Sequence, residues 1–213
     1  GLLICGINHG LTKRDQMEED LGIDRSDGRI SFFSDSEVND YPLRNKLVNW
    51  FSLWGFDLKG DQTAGAFERS ISQGNWLESQ SNNMNDENTH EACVANADSF
   101  LKTCESLKPS IIIFLSQDLL WAMNDKRVVE RFKDVFGNKV EKPVSITKDV
   151  PWKSGTHRKF KVWIQDFGNC KVVSVPHPTA SIGLANIYIE SFKTEIGGLI
   201  SQWWLSHEEN LIR

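Results

Sequence analysis

Two short segments near opposite ends of the chain concentrate residues able to do chemistry: Gly6-Ile7-Asn8-His9-Gly10 and Pro176-His177-Pro178-Thr179. An amide donates and accepts hydrogen bonds but cannot take up a proton as a carboxylate does, so the chemistry open to Asn8 is positioning. An imidazole such as that of His177 can donate to charge that develops on a ligand. Gly6 and Gly10 allow the backbone around Asn8 to turn sharply and come close to a ligand. Pro176 and Pro178 hold the path on either side of His177. Taken alone, each segment is also what a plain turn or a structural histidine would look like; the pairing of the two carries the argument.

These residues need elements to hold them. Leu2-Leu3-Ile4-Cys5 is a continuous apolar run ending in Gly6, the pattern of a buried parallel strand breaking into a loop. Apolar residues at 43, 47, 50, 51 and 54 predict a helix over Leu43–Trp54, stopped by Gly55. A second strand is expected over Phe67–Trp76, a helix over Glu91–Leu107, a buried strand over Ile111–Leu115 and a helix over Asp118–Phe136. The stretches 11–29 and 82–88 are polar and read as loops. Phe160–Ile164 and Val172–Val175 flank Phe167-Gly168-Asn169 and predict a hairpin. Ala185–Leu205 reads as helical, weakened by Gly197-Gly198. Strands alternating with helices imply an α/β protein with a mainly parallel sheet and helices on both faces. Ligands of such sheets bind beyond the carboxyl ends of the strands, where the first and last strands carry Asn8 and His177.

The bulk numbers bound the rest. At 213 residues, with 39% hydrophobic and 25% charged, the chain suits one globular domain. No apolar run approaches the roughly 20 residues needed to span a bilayer, and no signal peptide is visible. Gly1 leads straight into what reads as a core strand, so an upstream segment is an expectation here. Cys5, Cys93, Cys104 and Cys170 form no Cys-x-x-Cys pair and are expected to be reduced, buried thiols of a cytoplasmic protein, with neither disulfide nor metal. A net charge of −5 argues against a broad electrostatic grip on a polyanion but leaves room for a local basic lip. The best such cluster is Lys153, Arg158, Lys159 and Lys161, with His157 among them and no acid between Asp149 and Asp166.

Leu-Leu-Ile-Cys-Gly-Ile-Asn-His-Gly at 2–10 resembles the first motif of the uracil-DNA glycosylase superfamily, in the Gly-Ile-Asn-Pro-Gly form of its mismatch-specific and single-strand-selective branches. Val-Pro-His-Pro-Thr at 175–179 resembles the second motif, His-Pro-Ser. Between them, Ser31-Phe32-Phe33-Ser34 stands in the place of the stacking phenylalanine, and Gly74-Asn75-Trp76 where the base-reading asparagine ends the second strand. The resemblance implies a single three-layer α/β/α domain over 1–213, built on a central, mainly parallel four-stranded sheet, with the hairpin at about 150–176 as an insertion. It also implies a monofunctional DNA glycosylase, a monomer without cofactor or metal, acting on DNA that contains uracil or a related damaged base. Neither motif holds a lysine, so water and not an amine would be the nucleophile.

Cleavage of an N-glycosidic bond builds positive charge on the sugar and negative charge on the departing base. By the resemblance, His177 donates to the anion at the pyrimidine O2, Asn8 orients the water, Asn75 reads the Watson–Crick edge and Phe33 stacks on the extruded base. Gly6, Ile7, His9 and Gly10 complete the pocket wall. A base in a duplex reaches such groups only by flipping, and the loop 179–184, with Thr179, Ser181 and Ile182, would meet the DNA and fill the vacated stack. Lys153, Arg158 and Lys159 would contact phosphates. Each role has a rival. Phe33 beside Phe32 also fits a core position, Asn82 or Asn83 also fits the reader, and Ile182 and Leu184 also fit as anchors of the last helix. His9 departs from the family's proline, residues 179–192 lack the family's Lys or Arg, and Ser79 stands where some branches carry a cluster-ligating cysteine. A non-catalytic relative that binds a nucleotide, modified nucleic acid or protein partner in the same pocket is the alternative, and a glycosidase of free nucleosides or nucleotides is a third.

Overall fold

The computed structural model describes residues 1–7, 9–10, 33, 42–58, 65–78, 80–81, 89–138, 142–152, 155–179 and 184–211. A six-stranded sheet forms its centre, in the order β3-β1-β5-β8-β7-β6. The strands are β1 (Leu2–Gly6), β3 (Ile71–Asn75), β5 (Ile111–Phe114), β6 (Val144–Pro151), β7 (His157–Asp166) and β8 (Lys171–Ser174). β3, β1, β5 and β8 run parallel, whereas β8–β7 and β7–β6 pair antiparallel. The α/β expectation therefore holds at the level of class, but the sheet is six-stranded and mixed, not four-stranded. β6 carries little strand signal in its sequence, because Val-Ser-Ile-Thr-Lys-Asp-Val-Pro alternates weakly and is mostly exposed. The hairpin does form, with Asp166 opposite Lys171 and Trp163 opposite Ser174. Its second arm is a core strand of the parallel sheet, so the segment is continuous with the domain.

The strand period of two sends alternate side chains to opposite faces. Leu3, Cys5, Ile112, Phe114 and Val172 face one core, shared with α3 (Thr89–Ala95), α4 (Ala97–Leu107), α5 (Gln117–Met123) and α6 (Val129–Phe136). Leu2, Ile4, Ile111, Ile113 and Val173 face the other, shared with α1 (Pro42–Trp54) and the C-terminal helices α7 (Asn186–Ser191) and α8 (Gly198–Leu211). The two long helices expected over 91–107 and 118–136 are each broken, at Asn96 and over Asn124–Val128. The stretch from Phe67 begins as the short helix α2 (Ala66–Arg69) and becomes a strand only at Ile71. Buried indoles are satisfied: Trp54 Nε1 donates to the Ile189 carbonyl at 3.0 Å and Trp76 Nε1 to that of Cys93 at 2.8 Å. All four cysteines are buried and unpaired. Burial pushes the Cys93 and Cys104 thiols up to about 12, which keeps them protonated and poorly nucleophilic. No helix among the described residues is long and apolar enough to cross a membrane.

A π-helical turn, Lys193–Gly197, joins the two C-terminal helices. At Gly197 a Cβ would lie 2.6 Å from the Trp54 carbonyl oxygen, a backbone atom that cannot swing aside. Gly197→Ala is expected to cost about 1–3 kcal/mol as overpacking, which thermal unfolding should show as a Tm about 3–10 °C lower.

Candidate functional site

The carboxyl edge of the four parallel strands carries Asn75 and His177. Hydrogen bonding runs to the very ends of these strands: Leu115 N–H donates to the Cys5 carbonyl at 2.9 Å and Val175 N–H to that of Phe114 at 2.9 Å. On the other side of β1, Trp76 N–H reaches the Gly6 carbonyl at 3.0 Å and Leu77 N–H that of Ile7 at 2.8 Å. Gly6 is in register with Asn75. A Cβ at position 6 would lie 2.5 Å from Asn75 Oδ1, so the asparagine amide lies over the glycine and uses the space a side chain would take. Asn75 is only partly buried, and its amide makes no hydrogen bond among the described residues. Past Ile7, His9–Gly10 forms the short strand β2, parallel to β4 (Gln80–Ser81), which extends this edge outward.

His177 follows β8 by three residues. Thr179 N–H donates to its Nδ1 at 3.3 Å, and Thr179 Oγ1 lies 3.3 Å from the same nitrogen. A ring nitrogen that accepts from a backbone N–H carries no proton, so the neutral ring holds its proton on Nε2. Burial lowers the His177 pKa from its ordinary 6.5, which keeps the ring neutral near pH 7. Thr179 was expected at a DNA contact; the structure shows it as the residue that orients His177. The signal for this lay in the i to i+2 spacing, a common reach for local hydrogen bonds.

Phe33 is corrected most clearly. It is 1% exposed, with its ring 6.2 Å from that of Phe51 in the core shared with α1. Its carbonyl accepts from the buried Arg44 guanidinium at 2.5 Å. A base cannot stack on this ring unless the core opens. The basic cluster is also divided. Neighbouring strand residues point to opposite faces. Arg158 lies 4.4 Å above the Trp152 ring, which stacks on Tyr188 of α7, while Lys161 lies 5.2 Å from the Trp163 ring. Asn8, the side chain of His9, Lys153, Ser181 and Ile182 lie outside the described residues, as do Asn82 and Asn83.

Two other polar features are separate from this edge. His90 Nε2 and Asp125 Oδ2 are 2.9 Å apart, and with Glu91 they bring three possible metal donors within 4.8 Å of one another. The Arg127 guanidinium spans both carboxylates, at 2.8 Å from Glu91 and 2.8 Å from Asp125. It holds the Asp125 carboxyl far below the usual range, and the group is an ion-pair network that ties α3 to the turn after α5. An open concavity of about 390 Å³ lies at the amino ends of β5 and β8, among Glu105, Lys108, Asp134, Phe136 and Asn169. No residue of either motif lines it. No model of a known protein family matches the chain, and neither does any curated protein.

Proposed function

We propose that the chain is a monofunctional DNA glycosylase that hydrolyses the N-glycosidic bond of uracil or a related damaged base, on a uracil-DNA glycosylase-like fold. The observation that carries this reading is the carboxyl edge: a neutral imidazole aimed by a backbone N–H, on the same edge as an asparagine amide that lies over a glycine and has no hydrogen bond among the described residues. His177 Nε2–H supplies a hydrogen bond to the base as negative charge develops on it, worth about 3–4 kcal/mol in comparable oxyanion sites. Asn75 accepts from the base N3–H and donates to O4, a pairing that selects a uracil edge by its donor and acceptor order. Asn8 takes the role of orienting the attacking water through its amide oxygen. This last assignment rests on the motif at 6–10. The motif resemblance and these two side chains together favour glycosidic cleavage over simple binding, because a donor poised for an anion stabilises the departing base more than the ground state.

The test is one incubation of the protein with single- and double-stranded oligonucleotides that carry uracil, hypoxanthine or xanthine, followed by alkaline cleavage at abasic sites. Release of uracil is expected, with no enzyme–DNA adduct trapped by borohydride. A chain that frees no base from any of these substrates is not a glycosylase of this kind. Binding without release would favour the non-catalytic reading, toward which the net charge of −5 leans.

A further inference from the structure

The hairpin β6–β7 does not stop where the parallel sheet stops. Trp163 is the last β7 residue paired with β8, opposite Ser174. The six residues from His157 to Val162 continue past that point, paired only with β6. At ~3.3 Å per residue this arm overhangs the carboxyl edge by roughly 20 Å. Its two faces differ. One packs Val150, Phe160 and Val162 toward the C-terminal helices, where Phe160 lies 4.0 Å from Tyr188 and Lys148 pairs with Glu195 at 2.5 Å. The other carries Thr147, Asp149, His157, Lys159 and Lys161, all exposed.

The bare face has a polarity and a direction. At its root Trp163 and Trp121 meet edge to face, 4.9 Å apart, and both are partly exposed. Trp163 Nε1 donates to Gln117 Oε1 at 3.2 Å, at the start of α5 beside the carboxyl edge. Lys161 and Lys159 follow at the i, i+2 spacing of one strand face, about 6.7 Å apart. Neither has a carboxylate partner among the described residues, while the one acid of that face, Asp149, pairs with His157 at 3.3 Å. Ser174, opposite the aromatic root, is three residues before His177, about 10 Å along an extended chain. Ammonium groups without a carboxylate partner among the described residues, one of them 5.2 Å from the Trp163 ring, beside partly exposed indoles are the combination that holds single-stranded nucleic acid, where phosphates meet the cations and bases meet the rings.

We propose that the bare face of β6–β7 seats a single strand of DNA, with Lys159 and Lys161 on phosphates and the Trp163–Trp121 pair against a base, and leads that strand to the edge that holds His177. This deepens the glycosylase reading and rests on it. It also explains how an acidic chain grips DNA: one narrow track replaces a broad basic surface. A duplex is too wide to lay both its backbones on a two-stranded face, so the track favours one strand.

Fluorescence polarisation with a uracil-free, fluorescein-labelled single-stranded DNA, the matching duplex and an RNA of the same sequence tests this. Single-stranded DNA should bind more tightly than duplex. The exposed double variant Lys159→Glu/Lys161→Glu should raise Kd at least tenfold and flatten the salt dependence by about 1.4 in slope, the share of two phosphate contacts. Trp163→Leu should raise Kd by about tenfold, and circular dichroism would confirm that it folds. Wild-type affinity in the lysine variant, tighter binding of duplex, or preference for RNA would each overturn the proposal. The uracil-free probe keeps the two readings apart. If uracil is released but the lysine variant binds and cleaves like wild type, the track is wrong and the glycosylase reading stands. If no base is released yet binding depends on the lysines, the glycosylase reading falls alone.

Discussion

His177→Ala should lower single-turnover release of uracil by about 10²- to 10³-fold, the loss expected for one donor to a developing anion. The unfolding temperature should change little, because the ring is partly exposed and is not part of either apolar core. Thr179→Ala should keep most of the activity, since the donor to Nδ1 is the backbone N–H and survives the substitution. The pH profile separates a neutral donor from an ionised one. The His177 pKa is lowered from 6.5 by burial, so release should hold around neutral pH and fall in more acid solution. Protonation puts a second proton on Nδ1, facing the Thr179 N–H that cannot turn away. The linkage has the same sign: below pH 6.5 the unfolded chain binds this proton more readily than the folded one, so the group's contribution to stability falls as the pH falls. A His177→Ala enzyme as active as wild type, or a rate that rises with acid, would refute the role.

Asn75→Ala should lower uracil release by about 10²-fold, since two hydrogen bonds to the base edge are lost at about 1–2 kcal/mol each. Gly6→Ala offers a subtler approach to the same amide. The added methyl would lie 2.5 Å from Asn75 Oδ1, the far end of a movable side chain, so the amide shifts and the backbone stays. Activity should fall toward that of Asn75→Ala while the Tm stays within a few degrees of wild type. The double variant should be no worse than Asn75→Ala alone, because both changes remove one interaction. Additive losses, or a Gly6→Ala protein that loses stability and keeps its rate, would show that the glycine serves the strand and not the amide.

Much of this arrangement was legible before any coordinates. Continuous apolar runs at 2–5 and 111–115 read as strands buried on both faces, and in the fold each of their side chains lies in one core or the other. The helix over 43–54 and the turn at 167–169 follow equally from local pattern. Glycine and proline placement marked both ends of the site because these residues restrict or free the backbone whatever surrounds them. Other features depended on partners far away in the chain. Nothing local to Phe33 says that Phe51 covers its ring, nor does Val144–Pro151 announce a strand whose pairing with β7 completes it. The grouping of Lys153, Arg158, Lys159 and Lys161 is one cluster in sequence, but strand alternation separates Arg158 from Lys159 and Lys161. Local chemistry is written in residue type and spacing. Which face a side chain joins, and which distant atom it meets, depends on sheet order and register, and these arise only when the whole chain has packed.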